Sequence, residues 1–154
     1  MTAFIRLPGA AAVVTGAGSG IGRASAMSFA TRGARVVVSD IDADRVDAVV
    51  AAITTAGGEA VGQVTDVAQW DDVVALRDTC LDRFGRVDLV MNNVGVLAMG
   101  PPESLPLEEW QRVIDINLLS MVRSNLVFLP ILMDQGSGHI VNTASMSGLL
   151  PHGY

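Results

Sequence analysis

A glycine-rich segment near the amino terminus has the composition of a turn that binds phosphate groups. It reads TGAGSGIG, Thr15 to Gly22, and it lies between a short apolar run and a stretch typical of a helix. Glycines permit positive φ and close approach of the backbone to a ligand, and the start of a helix offers unpaired N–H groups to a pyrophosphate. The phosphate-binding candidates are Gly16, Ser19, Gly20, Ile21 and Gly22.

The spacing of this turn distinguishes it from other phosphate-binding loops. It is T-G-x-x-x-G-x-G, because Ile21 occupies the place of the last glycine in the commoner G-x-G-x-x-G pattern. A Walker loop is excluded, since no G-K-[ST] follows. The alternative is a glycine-rich turn that only packs the helix against the strand before it.

A carboxylate after the second apolar run suggests which nucleotide would bind. Asp40 could accept hydrogen bonds from the adenosine ribose hydroxyls, and it would repel a 2′-phosphate. No arginine or lysine lies within 17–19 to offset that repulsion, so NAD is favoured over NADP. The alternative is an ordinary aspartate at a strand end. DIDAD, 40–44, resembles the start of a calcium loop, but Arg45 and Ala51 replace the required glycine and glutamate, so we predict no metal site.

Short apolar runs alternate with longer helical stretches along the chain, and they would place these residues. We predict strands at Ala10–Thr15, Arg35–Ser39, Ala60–Thr65, Val87–Met91 and His139–Thr143. We predict helices near 20–32, 43–56, 69–84 and 107–133. Strands joined by helices of this length form a doubly wound, Rossmann-like parallel sheet with helices on both faces, in which ligands bind beyond the carboxyl ends of the strands.

Composition excludes several classes of protein. The chain has 154 residues, half of them hydrophobic, and a net charge of −6 without a basic run, so we expect no nucleic-acid binding. The apolar region 116–133 contains Asn117, Arg123, Asn125 and Pro130, which argue against a membrane span. The single cysteine, Cys80, excludes an internal disulfide, and the amino terminus lacks a secretory pattern. We expect a cytoplasmic protein.

Several motifs after the predicted strands resemble those of the classical short-chain dehydrogenases/reductases. They occur in the same order as in that family and together cover the chain. They are TGAGSGIG, the pair Asp66 and Val67 after strand three, NNVG with Asn93 and Gly95 after strand four, Asn117 in DINLLS, and Ser145 in VNTAS. The combination is far more specific than any one motif.

The resemblance implies hydride transfer between the nicotinamide of NAD and an alcohol or ketone substrate. It assigns cofactor contacts to the turn, the Asp66–Val67 pair and the NNVG segment, in addition to the Asp40 carboxylate predicted above, and catalytic roles to Asn117 and Ser145. A tyrosine would exchange a proton with the substrate oxygen, a serine would hold that oxygen, and a lysine four residues beyond the tyrosine would lower the tyrosine's pKa. Lowering that pKa by one unit requires about 1.4 kcal/mol of preference for the phenolate form.

Each of these residues also has a simpler interpretation. Asn92 and Asn93 could be turn formers at a strand end, and Asn117 could be a polar residue satisfied inside a buried helix. Ser145 competes with Thr143 and Ser147 as a turn hydroxyl.

The end of the sequence departs from the family pattern. In the family that the chain resembles, the tyrosine follows the serine by about thirteen positions. Tyr154 follows Ser145 by only nine, and the chain contains no lysine. We therefore do not assign Tyr154 as the catalytic acid, and we consider His152 solvated or structural. We expect 1–154 to be one dinucleotide-binding domain whose sheet is incomplete on its carboxyl-terminal side, inactive alone, and part of a longer enzyme.

The long apolar helix near 107–133 predicts a homo-oligomer, a dimer or tetramer, although burial within one subunit is the alternative. Two other functions remain open, a catalytically inert NAD-binding module and a nucleotide-sugar epimerase or dehydratase. The turn argues against the latter, which more often has T-G-x-x-G-x-x-G.

Overall fold

The computed structural model describes residues 5–146 and contains one parallel β-sheet in the order β3-β2-β1-β4-β5. The strands are β1 (Ala11–Thr15), β2 (Arg35–Asp40), β3 (Glu59–Val64), β4 (Leu89–Asn92) and β5 (His139–Asn142). Strand order reverses between β1 and β4, because β2 and β3 extend to one side of β1 and β4 and β5 to the other. All five carboxyl ends lie at the same edge, so this switch point opens a crevice there.

Helices connect the strands. They are α1 (Gly20–Thr31), α2 (Ala43–Thr55), α3 (Trp70–Phe84), α4 (Leu107–Ile114) and α5 (Ser120–Gln135), with a short 3₁₀ turn at Pro102–Ser104 and a π-helical turn at Asp115–Leu119. The start of α2 shows how the sequence sets a boundary. Asp42 precedes the helix in extended conformation and its carboxylate accepts a hydrogen bond from Arg45 N at 3.2 Å, which satisfies an otherwise unpaired N–H group.

Both faces of the sheet are covered, which explains why the strands are nearly continuous apolar runs. Alternate residues of β1 face opposite sides, so Val13 and Val14 belong to different core clusters and both are 0% exposed. The cluster around Val13 includes residues of α3 and α5, among them Leu76 and Phe128. The cluster around Val14 includes residues of α1 and α2. This arrangement confirms the predicted doubly wound fold.

The predicted elements agree with the structure except at their boundaries and in one helix. β4 begins at Leu89 rather than Val87, and β2 includes Asp40 as its last residue. The helix predicted near 107–133 extends to Gln135 and is not uniform, because the π turn separates α4 from α5. Helical structure over this range is confirmed, and the π turn within it was not predicted, because the residue types there do not distinguish an i→i+5 turn from an α turn.

The stretch α4–π turn–α5 exposes an apolar stripe. Apart from the adjacent pair Leu118 and Leu119, its side chains recur every three or four residues, and all are 40–72% exposed; they are Leu107, Trp110, Ile114, Leu118, Leu119, Val122, Leu126, Leu129 and Met133. By length and composition, Leu107–Gln135 could cross a membrane, with 28% of its most apolar window buried. The opposite side of α5, however, packs on the sheet through Val127, Phe128 and Leu132, as core helices of soluble proteins do.

Candidate functional site

The glycine-rich turn lies between β1 and α1, at the switch point. Gly16 and Gly20 adopt positive φ angles of 64° and 51°, as the sequence predicts for this turn. Gly22 is required for a different reason, because the backbone of the turn approaches it closely. An ideal Cβ at Gly22 would lie 2.1 Å from the Gly16 carbonyl oxygen, so no side chain fits there without displacing the backbone of the turn. The turn is therefore packed directly against the first turn of α1.

The amino terminus of α1 is suited to an anion. Ser19 precedes the helix in extended conformation, and within the described structure its hydroxyl makes no capping hydrogen bond. The first intrahelical hydrogen bond runs from Arg23 N to Ser19 O at 3.0 Å, which leaves the N–H groups of 20–22 at the helix end. The first turn of α1 contains no acidic residue, whereas the first turns of α2, α3 and α4 all do. No carboxylate of its own first turn therefore offsets the positive end of this helix dipole.

Asp40 connects the end of β2 to the glycine-rich turn. Its Oδ2 accepts a hydrogen bond from Gly18 N at 3.0 Å and its Oδ1 accepts one from Asp42 N at 3.2 Å. The side chain is half-buried, and the Asp40 carbonyl accepts a hydrogen bond from Thr65 N at 2.9 Å. The carboxylate therefore lies beside the turn, where the sequence predicts it.

Asp66 and Val67 follow β3, the next strand along the same edge. Asp66 N donates to the Asp72 carboxylate at 2.8 Å, and the Asp66 carboxylate accepts from Ala68 N at 2.9 Å. Val67 is only 8% exposed. These hydrogen bonds fix the loop between β3 and α3, so both predicted residues have defined positions beyond the carboxyl end of the sheet.

Asn93 follows β4 and packs against the glycine-rich turn. An ideal Cβ at Gly22 would be 2.7 Å from Asn93 Nδ2, and one at Gly16 would be 3.2 Å from the same atom. Asn93 N donates to Thr15 Oγ1 at 3.1 Å, and that hydroxyl donates to Met91 O at 3.4 Å. Thr15 opens the TG pair but was not among the residues predicted from the sequence. Its buried hydroxyl joins β1 to the segment after β4.

Asn117 lies in the π turn, half-buried, and both the oxygen and the nitrogen of its carboxamide bond to the backbone of Val96. Asn117 Oδ1 accepts from Val96 N and Asn117 Nδ2 donates to Val96 O, both at 2.8 Å. Gly95 is close by, since its ideal Cβ would be 3.7 Å from Asn117 Oδ1. The side chain thus ties the helix to the loop after β4 that borders the crevice.

Ser145 follows β5 and is exposed. The segment before it is linked to the end of β4 by three contacts. Thr143 N donates to Asn92 O at 2.9 Å, Thr143 Oγ1 contacts Asn93 Oδ1 at 3.4 Å, and Asn92 Nδ2 donates to Asn142 Oδ1 at 2.8 Å. Thr143, which the sequence left as a competing turn hydroxyl, therefore contacts Asn93. Ser147, His152 and Tyr154 lie outside the described residues.

Other chemistry-bearing groups lie away from the crevice. Cys80 is buried, and desolvation raises the pKa of its thiol to about 12. Among residues 5–146 no cluster of three or more His, Cys, Asp or Glu side chains could hold a metal ion.

A cavity of about 620 Å³ lies near the amino ends of β1, β4 and β5. Arg86 and Asp88 are among the residues that line it, and none of the predicted site residues does. Arg86 and Asp88 form an ion pair, and the hydrogen bonds that Arg86 donates to the Asp88 carboxylate raise the pKa of Arg86.

Comparison with known proteins finds matches along most of the chain. Residues 10–153 match the family described as short chain dehydrogenase. Cyclohexanol dehydrogenase of Acinetobacter sp. (strain SE19) is 40% identical over 140 residues, which cover 90% of this chain and 56% of that protein. The chain spans a little over half the length of the curated relatives it matches.

Two solved structures extend the likeness to three dimensions. A short-chain dehydrogenase/reductase from Burkholderia phymatum in complex with NAD superposes with a TM-score of 0.94 at 39% identity, covering 97% of this chain and 53% of that one. A 7α-hydroxysteroid dehydrogenase complexed with NADH and 7-oxo glycochenodeoxycholic acid gives a TM-score of 0.92 at 35% identity, covering 96% and 57%. The motif order, the Rossmann-like sheet and these matches agree, and the chain belongs to the short chain dehydrogenase family.

Proposed function

We propose that the protein of which these residues are part is an NAD(H)-dependent oxidoreductase that transfers a hydride between nicotinamide and an alcohol or ketone. The observation that carries the proposal is the Asp40 carboxylate, bonded to Gly18 N beside an uncapped helix start. That arrangement offers N–H groups to a pyrophosphate and a carboxylate to the adjacent ribose. Two relatives of the same fold were solved with NAD or NADH, which supports the choice of cofactor.

The preference for NAD over NADP follows from charge. A carboxylate has about four acceptor positions, and the two backbone N–H groups that bind Asp40 leave acceptor capacity for ribose hydroxyls. A 2′-phosphate about 4 Å from this carboxylate would meet a repulsion of roughly 1–4 kcal/mol per unit charge. Arg45, which packs near Gly18, is engaged with Asp42 at 3.0 Å, so it offsets that repulsion only in part.

The remaining residues would serve the cofactor and the substrate in different ways. Asp66 and Val67 would border the adenine, and Asn93 and Gly95 would border the nicotinamide half of the cofactor, which supplies or accepts the hydride. Ser145 would hold the substrate oxygen through its hydroxyl. Asn117 would fix the loop after β4 rather than touch the substrate with its side chain, because both of its polar side-chain atoms bond to Val96.

We further propose a soluble, cytoplasmic homo-oligomer. The apolar stripe of α4 and α5 supports the homo-oligomer, because contiguous exposed apolar surface marks interaction sites and the other side of α5 is buried on the sheet. Neither nucleic acid nor a membrane is a proposed partner.

Substitution of Asp40 tests the cofactor proposal. Asp40→Ala removes an ionised hydrogen-bond acceptor, and such bonds contribute about 1.5–3 kcal/mol, so NAD affinity should fall roughly 10- to 150-fold. NADP affinity should stay equal or rise, because the repulsion is removed. Calorimetric titration with both nucleotides measures the two dissociation constants.

A control variant separates the role of Asp40 from the loss of any acidic charge. Asp44→Ala changes an exposed aspartate in the first turn of α2 and should leave the NAD/NADP ratio unchanged. If Asp40→Ala also leaves that ratio unchanged, Asp40 does not select the cofactor.

A further inference from the structure

The π turn between α4 and α5 introduces a change of register in the helix. Ser120 N donates to the carbonyl of Asp115, five residues earlier, instead of to the residue four earlier as in an α-helix. Such turns disturb the regular ladder, so a polar side chain that satisfies a displaced carbonyl stabilises them. Ser120 Oγ supplies one such contact, to Ile116 O at 2.5 Å.

A second contact spans the whole π turn. Arg123 Nη2 lies 2.5 Å from Asp115 Oδ1, and Arg123 Nη1 donates to Asp115 O at 3.3 Å. The Arg123 side chain is 21% exposed and that of Asp115 36%, so the pair is partly shielded from water. One arginine thereby contacts both the carboxylate and the displaced carbonyl of the residue that begins the turn.

This contact depends on the π register. In an uninterrupted α-helix, residues eight apart differ by about 80° around the axis, at about 100° per residue. The extra residue of the π turn removes about one such step, which brings the two residues within about 20° of one face. Arginine side chains in a helix also point towards its amino terminus, so Arg123 can reach Asp115 about two turns earlier. The ion pair therefore favours the π register over the α register.

The same register determines where Asn117 lies. α5 is anchored to the sheet by Phe128, which is 0% exposed, so loss of the π turn would rotate the residues before it by about 100°. Asn117 would then turn away from Val96 and lose both hydrogen bonds that hold the loop after β4.

We propose that Arg123 is a positioning residue: its bridge to Asp115 holds the π register in which Asn117 fixes Val96 and the loop bordering the nucleotide crevice. The structural part of this inference is independent of any ligand. Its consequence for nucleotide binding rests on the proposed function.

Amide hydrogen exchange tests the structural part in the protein without nucleotide. In Arg123→Met the exchange of Val96 N–H should accelerate on the order of tenfold, because the amide loses its Asn117 acceptor in the shifted register. The core amide of Val13 should exchange at the wild-type rate. Arg123→Lys, which keeps the charge, should restore at least part of the protection at Val96.

A matched control removes another arginine–carboxylate pair. Arg83→Met breaks the exposed contact between Arg83 on α3 and Glu59 on β3, and it should leave Val96 exchange unchanged. The inference is overturned if Arg123→Met leaves Val96 exchange at the wild-type rate, or if it accelerates Val96 and Val13 equally, which would indicate general destabilisation.

Nucleotide affinity separates this inference from the proposed function. Arg123→Met should weaken NAD binding severalfold by calorimetry, as expected for loss of a preorganised loop. If Arg123→Met shows the predicted exchange pattern but the wild-type protein binds no NAD, the proposed function is refuted. The role of the Arg123–Asp115 bridge in holding the π register would still stand. If the wild-type protein binds NAD and Arg123→Met binds it equally well, the proposed link between the π register and the nucleotide crevice is overturned.

Discussion

Gly22→Ala should damage both the folded state and the nucleotide site, because Gly22 is where α1 meets the glycine-rich turn. The added Cβ would lie 2.1 Å from the Gly16 carbonyl oxygen and 2.7 Å from Asn93 Nδ2. Both atoms belong to the predicted site. The carbonyl is backbone, so it cannot move away without changing the conformation of the turn.

The magnitude follows from two opposing effects. Overpacking of a tight site costs about 1–3 kcal/mol and occasionally more, and an overlap with backbone belongs at the upper end. Alanine gains about 1 kcal/mol over glycine inside a helix, which offsets part of that cost. We expect a net loss of roughly 2 kcal/mol in the free energy of unfolding. NAD affinity should fall at least about tenfold, since the N–H groups of the turn would no longer converge on one phosphate.

Urea denaturation and calorimetric titration with NAD measure the two effects on the same variant. Gly57→Ala is the matched control, because Gly57 has a φ of 84° and no atom within 4 Å of its ideal Cβ. The control should lose stability through backbone strain, of order 1–3 kcal/mol, without a change in NAD affinity. A Gly22→Ala protein that binds NAD as tightly as the wild type would refute the placement of the nucleotide on this turn.

Two further predictions concern groups outside the crevice. Leu126→Glu places a charge in the exposed apolar stripe and should shift the complete protein from oligomer to monomer in sedimentation velocity; a monomeric wild type would contradict the proposed oligomer. Burial raises the pKa of Cys80 from 9.0 to about 12, so the unfolded chain loses this proton first as pH rises. Its contribution to stability should be complete below pH 9 and decline towards pH 12, with Cys80→Ala showing a smaller decline in alkaline urea titrations.

The fold could be predicted from sequence because each element carries its own signal. The run from Ala11 to Val14 is apolar on both faces, as expected for a strand of a doubly covered parallel sheet, and helix-length segments separate it from the next runs. Asp40 could be placed for the same reason, since the end of β2 must lie beside the turn after β1 once the two strands are adjacent and parallel.

The details of the crevice could not be predicted, because they depend on contacts between distant segments. Nothing in DINLLS distinguishes a π turn from an α turn, and the contact of Asn117 with Val96 joins residues separated by 21 positions. Thr15 could have been identified only from its position in the TG pair, since its hydroxyl bonds a segment more than seventy residues later. The assignment of Ser145 still depends on its register against the family pattern.

The central claim is that NAD binds across the switch point, with its phosphates on the first turn of α1. The most direct measurement is an NMR titration of the ¹⁵N-labelled protein with NAD, followed through the backbone amides. We predict chemical-shift changes at Ser19, Gly20 and Ile21, and none at Ser137 or His139 at the opposite edge of the sheet. Absence of changes at the turn, or changes confined to the opposite edge, would contradict the account.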